Sequence, residues 1–358
     1  MPASSGEWWQ HLEEIATQRR PQVRDAEWYG FGRALLGVES DDAEFASRFR
    51  DIYSECAVEF PPDASLPQVT LRVKAIPSEA DWLAVSVTPA PPDRAGLLRQ
   101  LFPDRAYQAW TEDQQEWRIL ALANAPEEPV LALGPSGMLV SRRHGWQQLV
   151  ATYAISSAIW LQPDVFILHA ASIGLFGKGV LLSGTKGAGK TTLALSLACR
   201  GHAFLGDEWA AVSRLSGELL PLRRAASIRP GPHPNGLTQY LRTHPCYVET
   251  LQDGTRRVRT RVGEVFPHAA AQVVPLTDVC FLRGFSANPG IRPFARRNGE
   301  LPPISPLLAS FWGRPPAERA FGLLRSLRRA RWWHVDVGGS PEQTADMIEE
   351  TVKEAIWV

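Results

Sequence analysis

The sequence predicts an α/β fold over about residues 151–358, preceded by a smaller α+β domain over 1–150. Three observations lead there. Gly184 to Thr192 reads G-T-K-G-A-G-K-T-T, a G-x-x-x-x-G-K-[ST] turn of the kind that cradles phosphate with its backbone. Val180-Leu181-Leu182 before it is a short apolar run, as a buried strand is, and Leu193 to Ala198 after it favours helix. From Val165 onward strand and helix signals alternate, the pattern of a sheet buried between helices.

Taken in order, the first region mixes short strands and helices. Leu12–Thr17, Phe45–Tyr53 and Leu97–Gln108 read as helical, the last broken at Pro103. Val69 to Lys74 alternates apolar and polar residues, as a half-exposed strand does. Trp82–Val87, Trp117–Leu122, Val130–Ala132 and Met138–Ser141 are further strands, and Pro61-Pro62-Asp63 and Pro89–Asp93 mark loops. No catalytic motif falls here, and the tryptophans read as core and interface residues. Gly145–Leu161 is a mostly apolar helix connecting the halves. Beyond it, Val165–Ala170, Gly179–Ser183, Ala203–Leu205, Ala210–Val212, Thr277–Leu282 and Trp332–Val337 read as strands. Glu318–Arg329 and Pro341–Ile356 read as helices, the second amphipathic.

Composition narrows the function classes. Lys+Arg and Asp+Glu are equal at 38 each, so no basic field recruits nucleic acid. Cys56, Cys199, Cys246 and Cys280 form no C-x-x-C pair, which argues against zinc and a disulfide framework and for a reducing compartment. The N-terminal residues lack a signal pattern, and there is no run of about eighteen apolar residues to span a membrane. A cytoplasmic protein is expected.

The turn supplies the chemistry. Gly184, Gly187 and Gly189 allow the backbone to bend so that N–H groups face phosphate oxygens. Gly184, Thr185, Lys186, Gly187, Ala188, Gly189, Lys190, Thr191 and Thr192 form the expected nucleotide-binding set. Lys190 is a mobile cation for the β- and γ-phosphates, and the Thr191 hydroxyl is placed for Mg²⁺. Arg229, in a Pro/Gly-rich loop, is an alternative nucleotide-side cation. Asp207-Glu208 follows 17 residues after Lys190, at the end of an apolar strand expected to return beside the phosphate-loop strand. One carboxylate would hold Mg²⁺ and the other would take a hydroxyl proton; an exposed Asp-Glu turn is the bland alternative. His169 ends the strand before the phosphate-loop strand, where an adjacent strand end brings it within reach of a γ-phosphate. Arg257, Arg259 and Arg261 share one strand face, read first as a charged, exposed edge and second as a grip for phosphate or an acidic peptide.

His169, Gly179 to Thr192, Ala194-Leu195, Arg200-Gly201-His202 and Asp207-Glu208 together resemble the catalytic domain of the HPr kinase/phosphorylase family in order and spacing. That resemblance implies an HPr kinase-like P-loop catalytic domain behind the α+β N-terminal domain. It implies ATP and Mg²⁺ as cofactors, a protein serine as acceptor, and a homo-oligomer. It carries Asp207 over as the catalytic base, with His169 and Lys190 as catalytic partners. Thr191, Glu208 and Asp207 become the metal-side residues. The family usually has Asp-Asp where this chain has Asp207-Glu208. A Glu-x-Arg-Gly-Leu-Gly signature does not follow, and Leu222 to Pro232 looks more like HPr kinase-related proteins that phosphorylate a serine of a precursor peptide, such as lasso-peptide tailoring kinases. HPr as substrate and the reverse, phosphorylase reaction are therefore not expected. The expected activity is phosphoryl transfer from ATP to a serine-type hydroxyl of a peptide or protein. A kinase for a free amino acid or sugar, and a nucleotide-binding regulatory or scaffold protein, are the alternatives.

Overall fold

The structure, a computed structural model, describes residues 26–59, 65–76, 81–90, 107–112, 117–122, 125–133, 137–142, 146–228, 236–250, 256–294, 327 and 329–354. The chain is a mixed α/β protein of broad sheets and few helices. It divides into two units. Among the described residues, the first takes those up to Arg50 and Ala57–Pro163, and the second takes Asp51–Cys56 and those from Asp164 onward.

In the first unit, apolar alternation becomes strand. The elements are β1 (Glu27–Phe31), β2 (Ala34–Ser40), α1 (Ala43–Tyr53, with its last residues in the second unit), β3 (Gln68–Ala75), β4 (Trp82–Thr88), β5 (Tyr107–Glu112), β6 (Trp117–Leu122), β7 (Ala125–Leu133), β8 (Met138–Ser141) and α2 (Trp146–Trp160). The strands form one sheet in the order β1-β2-β3-β4-β8-β7-β6-β5. All neighbours are antiparallel except β2 and β3. Val69, Leu71 and Val73 of β3 are buried, as their spacing predicts. Asp42 starts α1 by accepting from the Phe45 N–H at 2.8 Å, the usual N-terminal cap. Helix α2 lays Val150, Tyr153, Ala154, Ile155 and Ala158 into the core and packs on β1 to β4 and β8. Two expectations change here. Tyr107 and Gln108, read as a helix end, lie in β5, and the helix read over Gly145–Leu161 packs on the first unit's sheet and belongs to that unit. Leu12–Thr17, residues 97–106 and most of Glu318–Arg329 lie outside the described residues.

The second unit holds β9 (Val165–Leu168), β10 (Ala171–Leu175), β11 (Lys178–Gly184), α3 (Lys190–Cys199), β12 (Ala203–Gly206), β13 (Ala210–Ser213), β14 (Glu218–Leu220), β15 (Ala226–Ile228), α4 (Gly236–Arg242), β16 (Tyr247–Thr250), β17 (Arg256–Thr260), α5 (Val262–Val265), β18 (Val274–Phe285), β19 (Gly290–Pro293), β20 (Arg331–Val337) and α6 (Pro341–Glu354). The main sheet runs β12-β10-β11-β18-β14-β13-β9, with β20 beside β18 and β19 beside β20. Strands β11, β18 and β20 are parallel and end on the same side. A smaller sheet has the order β15-β17-β16.

The run Val180-Leu181-Leu182 is buried on both faces. Val180 and Leu182 join Leu193, Leu197, Leu282, Val335 and Ile348 under α3 and α6, and Leu181 joins Leu205, Val212, Val279 and Trp332 on the other face. The Arg200-Gly201-His202 step fastens α3 to α6. Arg200 donates to Asp346 at 2.6 Å and to the Glu342 carbonyl at 2.9 Å, and His202 Nε2 meets Glu349 at 2.8 Å. Among the described residues, no helix is long and apolar enough to cross a membrane.

Candidate functional site

The glycine-rich turn joins β11 to α3. Gly184 sits at φ 149°, and a Cβ there would lie 2.5 Å from the Leu282 carbonyl oxygen, so both conformation and space require glycine. Gly189 caps α3 in the left-handed region at φ 95° with no side-chain cap. The first-turn amides of α3 therefore have no side-chain acceptor at the cap, and a helix N-terminus of this kind attracts anions. Thr185, Lys186 and Gly187 are exposed along the turn, and Ala188 is tucked into the core. Ala188 N–H donates to the Thr185 carbonyl at 3.2 Å, which closes the turn.

Lys190 is half-buried and lies over the turn. Its Nζ donates to the Gly184 carbonyl at 2.8 Å and the Thr185 carbonyl at 3.1 Å. Burial holds its ammonium below the usual lysine value, opposed by the Asp207 charge. Thr191 Oγ1 donates to Asp207 Oδ1 at 2.9 Å. Asp207 is 2% exposed, and its Oδ2 has no hydrogen-bond partner. Burial raises its pKa, against the lowering effects of the Thr191 hydrogen bond and of Arg224, Arg259 and Lys190.

Glu208 occupies the left-handed region at φ 62°, which turns its carboxylate toward Arg224, with which it forms an ion pair. Arg224 is buried. It lies 4.3 Å over the Trp209 ring and bonds to Tyr53, and burial together with repulsion from Arg259 pushes its pKa down to about 10. His169 lies in the turn between β9 and β10. Burial first, and then the positive charges of Lys190 and Arg224, lower its pKa, which favours the neutral imidazole. Arg229 lies outside the described residues.

Several adjacencies differ from expectation. Strand β12, which delivers Asp207, pairs with β10 and not with β11, so β10 separates the acidic strand from the turn strand. Strand β9 pairs with β13. His169 is thus brought near by the β9–β10 turn and not by a neighbouring strand end. Asp207 nonetheless reaches Thr191, because β12 and β10 together cross beneath α3. Strand β17 is the middle of its sheet, not an exposed edge, and Arg259 on it is 1% exposed. Arg257 and Arg259 share Glu249 at 3.1 and 3.3 Å, and Arg261 pairs with Asp51 at 3.0 Å.

Sequence reasoning missed Arg224. The signal available was the pair Arg223-Arg224 set between Leu222 and Ala225-Ala226, where burial of a charge implies a partner. Among the described residues, no group of three or more His, Cys, Asp or Glu side chains is arranged to hold a metal. The oxygen donors that fit a hard cation are the Thr191 hydroxyl and the unpartnered Asp207 Oδ2.

No family model matches the chain. Among curated proteins it is similar to the HPr kinase/phosphorylase of Stenotrophomonas maltophilia (strain K279a), 23% identical over 159 residues, covering 36% of this chain and 48% of that protein. That of Xanthomonas euvesicatoria pv. vesicatoria is 27% identical over 154 residues with the same coverage. That of Aromatoleum aromaticum is 37% identical over 62 residues, covering 17% of this chain and 20% of that protein. The chain spans about half the length of most of these relatives. The structure of the Hpr(Ser) kinase/phosphatase from Coxiella burnetii aligns with a TM-score of 0.28 at 13% identity, over 53% of this chain and 97% of that one. Curated homologues of this chain thus carry the family name that its own residues suggest.

Proposed function

We propose that this chain is an ATP- and Mg²⁺-dependent kinase that phosphorylates a serine-type hydroxyl of a peptide or protein. The observation that carries the reading is Asp207: a buried carboxylate beside the glycine-rich turn, with one oxygen held by Thr191 and the other left open. The turn and the α3 N-terminus bind the triphosphate through backbone amides from Gly184 to Thr192. Lys190 exchanges its loop carbonyls for β- and γ-phosphate oxygens.

Thr191 and Asp207 are the residues to hold Mg²⁺, and Glu208 joins them where its pair with Arg224 opens. When bound, Mg²⁺ offsets charge on the β- and γ-phosphate oxygens. The acceptor oxygen forms a bond to the γ-phosphorus, the bond from that phosphorus to the β-γ bridging oxygen breaks, and ADP leaves. With Thr191 and Glu208 on the metal side, Asp207 Oδ2 would be left free to take the acceptor proton, and its raised pKa makes it a stronger base than an exposed aspartate; with Oδ2 on the metal instead, Asp207 would serve as a metal-side residue only. His169, neutral, contributes a hydrogen bond to this centre. The second unit, whose main run begins at Asp164 and not at 151, forms the kinase domain, and the first unit contributes substrate recognition.

The test is incubation with ATP, Mg²⁺ and candidate precursor peptides, read by mass spectrometry for an added phosphate. The wild type is expected to modify a serine and Lys190→Ala to lose transfer. Equal turnover by the two would end the proposal. Phosphate on a free amino acid or sugar would redirect it to a small-molecule kinase, and binding of ATP without any acceptor would redirect it to a regulatory protein.

A further inference from the structure

We propose that Phe285 is the platform on which the base of the bound nucleotide stacks. This rests on reading the glycine-rich turn as a triphosphate site and adds to it the group that recognises the other end of the molecule.

An isolated exposed phenylalanine is ordinary. Phe285, 71% exposed, is distinguished by where the backbone carries it. On β18, Cys280 and Leu282 face the core beneath α3, and Val279 faces the opposite side. Strict alternation would send residue 285 to the Val279 side. The pairing with β20 instead shifts between Leu282 and Gly284. Leu282 faces Val335, Gly284 faces Asp336 and Phe285 faces Val337. Arg283 is the extra residue of this bulge, and Gly284 takes φ 111° to accommodate it. The inserted residue returns Phe285 to the face shared by Leu282, Val335 and Val337, which is the face of α3 and the glycine-rich turn.

Val337 marks how near that is. A Cβ built at Gly189 would lie 3.9 Å from Val337 Cγ1, so Val337 abuts the turn itself. Phe285 is its direct cross-strand partner on β18, the strand that lies between β20 and β11, one strand spacing of about 4.8 Å away. The position lies outside the carboxyl ends of the parallel strands β11, β18 and β20, where open α/β sheets bind ligands. The lip is held firmly. Arg283 grips Asp336 with both Nε, at 2.9 Å, and a terminal nitrogen, and Ser286 N–H donates to the Val337 carbonyl at 2.7 Å. An exposed apolar ring on a braced stretch of backbone beside a phosphate-binding turn suits the flat face of a nucleobase, because every base has a π-face that stacks on an aromatic side chain.

Calorimetric titration of ATP and of inorganic tripolyphosphate tests this on wild type, Phe285→Ala and Phe285→Trp. Loss of base stacking predicts that Phe285→Ala weakens ATP about five- to a hundredfold. Tripolyphosphate affinity should stay unchanged, and Phe285→Trp should retain ATP. Unaltered ATP affinity in Phe285→Ala, with ATP and tripolyphosphate both bound by wild type, overturns this inference alone. Equal weakening of both ligands also overturns it, since the ring would then act through the turn. Failure of wild type to bind either ligand overturns the triphosphate site and this inference with it.

Discussion

Asp42 in the first unit and Asp207 in the second, both buried, face opposite demands. Asp42 in the first unit uses both oxygens: one accepts from the Phe45 N–H at 2.8 Å and the other pairs with Arg142 at 2.5 Å. Asp207 in the second unit uses one, accepting from Thr191 at 2.9 Å, and leaves the other without a partner. An unsatisfied buried acceptor costs about 1–3 kcal/mol. Asp42 starts a helix and fixes an ion pair, so its satisfaction is what its task requires. At Asp207 the open oxygen stands next to the glycine-rich turn, where a substrate proton or a cation would meet it. The contrast is between a buried carboxylate satisfied on both oxygens and one left open beside the glycine-rich turn, and the proposed function rests on the second.

The sharpest way to break this comparison is to neutralise each residue. Asp207→Asn is expected to lower phosphoryl transfer about 100- to 10,000-fold, the range for loss of a general base. Asp42→Ala is expected to leave transfer per folded molecule unchanged and to lower unfolding free energy by about 1–3 kcal/mol. Transfer assays and urea melts on both variants read these outcomes, and a swap of the two phenotypes would invert the assignment.

Arg224→Gln comes next, with transfer expected to fall about ten- to a hundredfold, the worth of a charge-assisted hydrogen bond. Its positive charge lowers the pKa of Asp207. Removing it should therefore move the acid limb of the rate profile toward higher pH. An acid limb that stays put would make Arg224 merely structural.

The mildest effect is on stability. Because burial raises the pKa of Asp207 in the folded chain, the folded state holds its proton more tightly than the unfolded one. Stability should fall as pH rises from the ordinary aspartate range through that raised value, and level off above it. Asp207→Asn lacks the titrating group, so the difference between its melts and those of wild type should show this slope. Parallel curves would contradict a raised value.

Much of this site was legible because its signals are local. The turn needs glycine at fixed spacings, and the buried strand and helix on either side are visible as apolar runs. Alternation likewise exposed β3, and the strand candidates Trp82–Val87, Met138–Ser141, Thr277–Leu282 and Trp332–Val337 fall in β4, β8, β18 and β20. Pairing was not legible. The segment Ala171–Leu175 is short and contains Ser172 and Gly174, so it carries little strand signal, yet it is the strand that comes between β11 and β12. Arg259 looked like edge protection because a charged alternating strand reads the same in the middle of a small sheet as at its border. Only the tertiary partner, Glu249, distinguishes the two. Arg224 was hidden for the same reason, since its partners Glu208, Trp209 and Tyr53 are set by folding and not by spacing.

Glu208 carries one last implication. A non-glycine residue at φ 62° is held against its preference, at about 1–3 kcal/mol for such backbone strain. Glycine there would relax the main chain but discard the carboxylate that engages Arg224. Losing one partner of a buried ion pair costs about 3–5 kcal/mol, more than the strain relieved, so Glu208→Gly should melt at a lower temperature and work more slowly. A thermal scan paired with a rate measurement reads both, and a variant that melts higher would show that the bend in the main chain, not the ion pair, dominates at this residue.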